Sequence, residues 1–288
     1  MILITGATGT TGREIVGELE NLGATGVRAL VRDPARAAFI REAGFETFEG
    51  DFDRPETLGA ALEGVERALL LTPPSPQTFE HQRAFIEAAG RAGVRHVVKF
   101  SAFGADASAP EGFGKWHGQS EELLKSSGLA WTMLRPNFFM QNLLGQAGQI
   151  AATGAIYQPV GDARASFIDT RDIASVAART LTEEGHEGRT YVLTGPEALS
   201  YSDVAAKLSE ATGREIKYVP ITPEQFREGA LGAGLPEWLV SALERLNEVF
   251  ASGLAAEVND NVRRIGKKEP TTFARFAREH AAAFRGEQ

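Results

Sequence analysis

The chain has 288 residues, 43% of them hydrophobic and 24% charged, with 30 basic against 38 acidic side chains and a formal net charge of −8. That composition describes a globular chain long enough for one large domain or two coupled ones, and its acidic balance argues against general nucleic-acid binding. The absence of cysteine excludes disulfides, thiolate nucleophiles and cysteine metal sites. His81, His96, His117, His186 and His280 show no metal-type spacing, so no metal is expected. No apolar run is long enough to span a bilayer. The first strand begins at Ile2 with no leader-like segment before it, so a cytoplasmic location is expected.

Met1 to Thr5 is an apolar run that reads as a strand. Gly6-Ala7-Thr8-Gly9-Thr10-Thr11-Gly12 follows at once, and a helical pattern starts at Arg13. Strand, glycine turn and helix form the first half of a dinucleotide-binding βαβ unit. One glycine permits the turn, one lets backbone approach a pyrophosphate, and Gly12 lets the helix pack closely. The helix N-terminus then offers free N–H groups to phosphates. On this reading Gly6, Thr8, Gly9, Thr10, Thr11 and Gly12 contact the cofactor.

Strands are predicted next at Val27–Arg32, Glu46–Glu49, Arg67–Thr72, Arg95–Phe100 and Ala130–Arg135, separated by helices at Pro55–Leu62, Gln77–Ala92 and Phe113–Ser126. The alternation predicts an α/β fold with a doubly wound parallel sheet. After about Asn142 the rhythm loosens. Helices are expected at Asp172–Leu181, Tyr201–Thr212, Pro223–Leu231, Glu237–Ala251 and Thr272–Phe284, with short strands at Ala155–Gln158, Thr190–Leu193 and Ile216–Val219. The predicted division is a Rossmann domain over 1–152 and a smaller α/β substrate-binding region over 153–288, partly interleaved with it.

Arg32 ends the second strand, where an arginine pairs with the 2′-phosphate of NADP and an acidic residue binds the ribose of NAD. Asp33 is adjacent and serves NAD if the strand runs one residue longer. Because Pro34 follows, Asp33 is assigned to the turn. NADP(H) is therefore preferred, with NAD(H) the other possibility. Thr72 and Pro73 end the fourth strand and are expected to line the cofactor channel, since ligands bind at the carboxyl ends of parallel strands.

Four motifs occur in the order found in the NmrA-like group of atypical short-chain dehydrogenases/reductases: Gly6-Ala7-Thr8-Gly9-x-x-Gly12-Arg13, Val31-Arg32-Asp33-Pro34, Gly50-Asp51-Phe52 and Leu134-Arg135-Pro136-Asn137-Phe138. The chain most resembles the branch of NADPH-dependent quinone reductases, triphenylmethane-dye reductases and azo-dye reductases. The resemblance implies that Asp51 and the following Phe52 N–H contact the adenine, and that Pro136, Asn137 and Phe138 lie near the nicotinamide. It also places a catalytic serine at Ser101.

Short-chain dehydrogenases add a Tyr-x-x-x-Lys pair on the next helix, where the tyrosine delivers a proton to a carbonyl oxygen. This chain has Phe113 and His117 at those places, and no tyrosine lies between Met1 and Ala155. His117 matches a histidine of the quinone- and dye-reductase branch. It holds the nicotinamide ribose, orients a substrate, or simply packs. The catalytic candidates are thus Ser101 and His117. The expected partner is a small aromatic or quinone-like acceptor already electrophilic enough to take hydride directly. Phe103, Trp116, Phe139 and Met140 are the candidates to stack on it, with Tyr157, Phe167 and Trp238 behind them. The alternative is a non-catalytic, NAD(P)-sensing regulator of the NmrA type. The expected assembly is a monomer or homodimer.

Overall fold

A computed structural model describes residues 1–287. Nine strands follow in chain order: β1 (Ile2–Ile4), β2 (Val27–Val31), β3 (Glu46–Glu49), β4 (Arg67–Leu70), β5 (His96–Phe100), β6 (Ala130–Pro136), β7 (Ala155–Gln158), β8 (Arg189–Leu193) and β9 (Lys217–Pro220). Seven make one sheet in the order β3-β2-β1-β4-β5-β6-β8, and every pairing within it is parallel. Strands β7 and β9 form a separate parallel pair.

Adjacent residues of each central strand feed opposite faces of the sheet, as a period of two requires. Ile4, Val98 and Leu134 pack beneath helices Thr10–Asn21 and Thr170–Thr182. Leu3, Val97 and Met133 pack beneath helices Thr78–Ala92 and Phe113–Ser126. Both faces are covered, which explains the apolar run Ala68-Leu69-Leu70 of β4. A second core gathers Met140, Phe167, Tyr201, Phe250, Phe273 and Phe276 around the β7–β9 pair.

Helix Thr170–Thr182 packs on helix Thr10–Asn21, and β8 extends the main sheet beside β6. Residues from beyond 152 therefore complete the dinucleotide-type layer. Two helical segments carried no strong sequence signal. Met140–Gln146 is a 3₁₀ stretch running into helix Ala147–Thr153, across Gly145 and Gly148, which lower helix propensity. Asn261–Gly266 is a short helix against helix Thr170–Thr182. The helix expected over Thr272–Phe284 is broken at His280 into Phe273–Glu279 and Ala281–Arg285. No helix of the described residues is long and apolar enough to cross a membrane.

Candidate functional site

The strand order reverses between β1 and β4, and a crevice at the carboxyl ends is the usual ligand position of such a sheet. Thr5 stitches the two strand ends together. Its hydroxyl donates toward the carbonyls of Leu69 (3.0 Å) and Leu71 (2.8 Å) and accepts from Leu71 N–H (2.8 Å). The chain then turns at Gly6, where φ is +67° and a Cβ would lie 2.8 Å from the Leu71 side chain and carbonyl oxygen, so no side chain fits. Gly12 closes the turn from the helix side. A Cβ there would lie 2.1 Å from the Gly6 carbonyl oxygen. The close packing at Gly12 is thus between the first helical turn and the glycine turn itself.

Gly9 is the N-cap of helix Thr10–Asn21. It supplies no side-chain cap, and the first turn carries no acidic residue. Gly9 and Thr10 are exposed, Thr8 is half-buried and Thr11 is buried. The helix thus presents uncapped N–H groups and the positive end of its dipole to the outside. A pyrophosphate fits this cradle, because the N-cap glycine has no side chain to compete for those donors and the first turn carries no carboxylate.

Arg32 lies just past β2, exposed and without an ion pair among the described residues. Asp33 is exposed too, and it serves the turn. Its carboxylate accepts from Ala35 N–H at 2.9 Å and caps the 3₁₀ turn Pro34–Ala37. Arg13 stacks on Phe39 nearby, 4.2 Å from the ring centre. Asp51 accepts from Asp53 N–H at 3.2 Å, and its own N–H donates to Thr57 Oγ1 at 3.0 Å. Helix Glu56–Ala61 is led by Pro55 and has no side-chain cap. Phe52 buries its ring against His81 and Phe85, so only its backbone is available to a ligand. Thr72 Oγ1 accepts from the buried Gln82 amide at 2.8 Å, and Pro73 is exposed beside it.

Val97 and Lys99 share one face of β5, and Ser101 follows on the same face just past its end, beneath helix Phe113–Ser126. Ser101 Oγ donates to Glu121 Oε1 at 2.5 Å. Arg135, on β6, donates to both oxygens of the same carboxylate at 2.9 and 2.6 Å. Burial pushes the Glu121 carboxyl up, but the hydrogen bonds from Arg135 and Ser101 outweigh it and hold the group below the ordinary range. One turn nearer the helix start, His117 Nδ1 lies 3.0 Å from Lys99 Nζ. Lys99 is fully buried. Desolvation lowers it to about 7, against the attraction of Glu121 and with the repulsion of Arg135. Burial, then the Lys99 charge, hold His117 well below its ordinary value. Lys99 and Glu121 were not singled out from sequence, and Arg135 was read only as part of its motif, with no site role. The available signal was a lysine in an otherwise apolar strand and an acidic residue four places beyond His117.

Phe113 stands edge-on to Trp116 at 5.6 Å, and Trp116 meets Trp238 at 6.2 Å. The Trp116 indole N–H donates to Glu111. Phe103 and Phe138 are half-buried against the second core, and Phe138 packs on Phe250 at 5.0 Å. Phe139 meets Phe100 at 6.2 Å. Met140 is fully buried in the second core. Pro136 accepts Phe103 N–H at its carbonyl, 3.0 Å away. The Asn137 side chain is internally engaged. Its amide donates to Ser166 Oγ (2.7 Å) and the Ala255 carbonyl (2.9 Å), and its oxygen accepts from Phe138 N–H (2.8 Å). Asn137 therefore clips the two cores together, and only its neighbours' exposed surfaces reach the crevice. Tyr157 is half-buried, whereas Phe167 is buried.

Crevice, uncapped helix and strand-end arginine together define a dinucleotide-binding α/β protein. The chain belongs to the NmrA-like family, whose model matches residues 1–277. It is 43% identical over 284 residues to the NAD(P)H azoreductase of Xenophilus azovorans, covering 99% of each chain. It is 33% identical over 245 residues to quinone oxidoreductase 2 of Escherichia coli, covering 84% of this chain and 85% of that one. The structure of the E. coli NADPH-dependent quinone oxidoreductase with NADPH has a TM-score of 0.90 at 29% identity, over 97% of this chain and 99% of that one. Triphenylmethane reductase of Citrobacter sp. with NADP(H) gives 0.86 at 25% identity, over 98% and 100%.

Proposed function

We propose that the chain is an NAD(P)H-dependent reductase that passes hydride to a quinone, an azo or triphenylmethane dye, or a similar flat conjugated acceptor. The observation that carries the reading is Arg32, exposed and unpaired among the described residues at the crevice edge, beside an Asp33 committed to its own turn. That arrangement favours NADP(H) over NAD(H). The names of the azoreductase, quinone oxidoreductase and triphenylmethane reductase relatives support the same class of chemistry.

Bound NADPH supplies the hydride from its nicotinamide ring. The Gly6–Gly12 turn and the helix N-terminus hold the pyrophosphate, Arg32 reads the 2′-phosphate, and Asp51 with the Phe52 N–H holds the adenine. Backbone around Pro136 to Phe138 borders the nicotinamide. Phe113 occupies the place of an acid-bearing tyrosine, so the protein contributes proximity and orientation. Such positioning is worth roughly 7–11 kcal/mol. The acceptor takes its proton from water, with His117 and the Ser101 region shaping the pocket and Phe103, Trp116 and Phe139 flanking it. Met140 supports this wall from beneath. In this reading residues 153–288 complete the substrate side behind these residues, and the protein works in the cytoplasm as a monomer or homodimer.

The test is NADPH oxidation against quinones, triphenylmethane dyes, azo dyes and unactivated ketones. Quinones or dyes turn over and ketones do so poorly, because alkoxide formation needs a proton donor that this helix lacks. Tight NADPH binding with no turnover of any acceptor overturns the reductase reading in favour of a sensor.

A further inference from the structure

Lys99 is a fully buried lysine with one nitrogen neighbour, His117 Nδ1, at 3.0 Å. An ammonium has three donors and no acceptor. A protonated Lys99 can therefore sit at that distance only if Nδ1 carries a lone pair, which puts the imidazole proton on Nε2. Nε2 itself has no hydrogen-bond partner among the described residues, and it is not one of the buried unpartnered atoms. His117 is half-buried, so Nε2 keeps some access to solvent. The charges facing Lys99 come from two elements, Glu121 on the same helix as His117 and Arg135 on β6. Glu121 is already held by Arg135 and Ser101, so His117 is the only acceptor in contact with Lys99 among the described side-chain pairs.

We infer that Lys99 is a positioning residue: its ammonium fixes His117 as a neutral imidazole that presents Nε2–H, a hydrogen-bond donor, to the ribose or acceptor in the crevice. This rests on the proposed reductase site and assigns His117 a role within it. His117 is then a donor of fixed direction and not a general acid, since an imidazolium 3.0 Å from an ammonium is strongly disfavoured. The device also explains why the strand tolerates a buried lysine. Its charge has Glu121 for long-range compensation and His117 for a hydrogen bond. Lys99 titrates near 7, so the constraint holds below neutrality and relaxes above it. A neutral amine can also accept from Nδ1–H.

The test uses ¹⁵N imidazole NMR of the free protein from pH 5.5 to 8.5, without substrate. At pH 6 the His117 signals report an unprotonated Nδ1 and a protonated Nε2, and an Nδ1–H fraction grows as pH passes through the Lys99 titration. In Lys99→Met, which keeps an apolar stem of similar length, the tautomer no longer changes over that range and His117 takes up a proton at a pH higher by about one unit or more. An imidazolium or Nδ1–H signal for the wild type at pH 6 overturns the inference. So does an identical titration in the variant. Because the wild-type spectrum decides on its own, a poorly folding variant does not rescue the idea. Failure of the acceptor panel with the expected spectra would sink the reductase reading alone.

Discussion

Ser101 Oγ donates its proton to Glu121 at 2.5 Å, so the hydroxyl at the end of β5 points into helix Phe113–Ser126. Glu121 in turn is gripped by Arg135 from β6. A serine so committed is poorly placed to move a proton to a substrate. Ser101→Ala should lower quinone turnover on the order of 10-fold, short of the 10²–10⁴-fold that follows loss of a general acid. Steady-state kcat with one quinone and saturating NADPH measures this.

The same network makes a stability prediction. Glu121→Gln leaves Arg135 without its carboxylate and the Ser101 proton with a weaker acceptor. Breaking a buried ion pair costs roughly 3–5 kcal/mol, and the partly exposed Arg135 places this one near the lower end, about 3 kcal/mol. Urea unfolding of the variant against the wild type gives the difference. A loss under about 1 kcal/mol would show that the pair is dispensable.

Gly9 and Gly12 separate ligand effects from folding effects. A Cβ at Gly9 meets only the Gly6 carbonyl, at 3.4 Å, and its backbone is extended. A Cβ at Gly12 would collide with that carbonyl at 2.1 Å. Gly9→Val should fold normally and lose NADPH affinity at least about 10-fold, a cost of about 1.4 kcal/mol, because its side chain fills the pyrophosphate position. Gly12→Ala should lower thermal stability. Unchanged NADPH titration of Gly9→Val would remove the cradle from the cofactor site.

Arg32 has no structural partner among the described residues to lose. A charge-assisted hydrogen bond is worth about 1.5–3 kcal/mol, so Arg32→Ala should weaken NADPH binding roughly 10- to 150-fold while NADH binding moves little. Equal losses for both cofactors would make Arg32 structural.

His96 carries an acid-side prediction. It is buried on the opposite face of β5, with Nε2 2.8 Å from Thr132 Oγ1, whose own proton goes to the His186 carbonyl at 2.6 Å. Burial lowers its pKa from 6.5 to about 4. The unfolded chain therefore binds a proton that the folded protein refuses between those values. Stability from this group is complete above pH 6.5 and falls as pH drops toward 4, by up to about 3 kcal/mol at 1.36 kcal/mol per unit. Urea unfolding across that range should show a shallower slope in His96→Asn than in the wild type.

The main sheet was legible from local pattern, because each of its central strands is covered on both faces and so reads as a short apolar run. The strand-turn-helix glycines at 6 to 12 were equally legible, since a tight turn and a close backbone approach restrict residue type by themselves. Arg32 and the Phe113–His117 spacing could be read along one strand end and one helix. What sequence order could not hold was the meeting of β5, β6 and helix Phe113–Ser126. Lys99 with His117, and Ser101 with Glu121 and Arg135, are brought together by strand register and helix docking across 14 to 20 residues of chain. The Asn137 side chain likewise became a clip between two cores only through contact with Ala255, 118 residues away. The alternation of strands and helices determined the fold, and the glycine turn after β1 the cofactor class. Tertiary packing alone decided which buried charges face one another, because electrostatic partners are chosen by distance in space and leave no periodicity in the sequence.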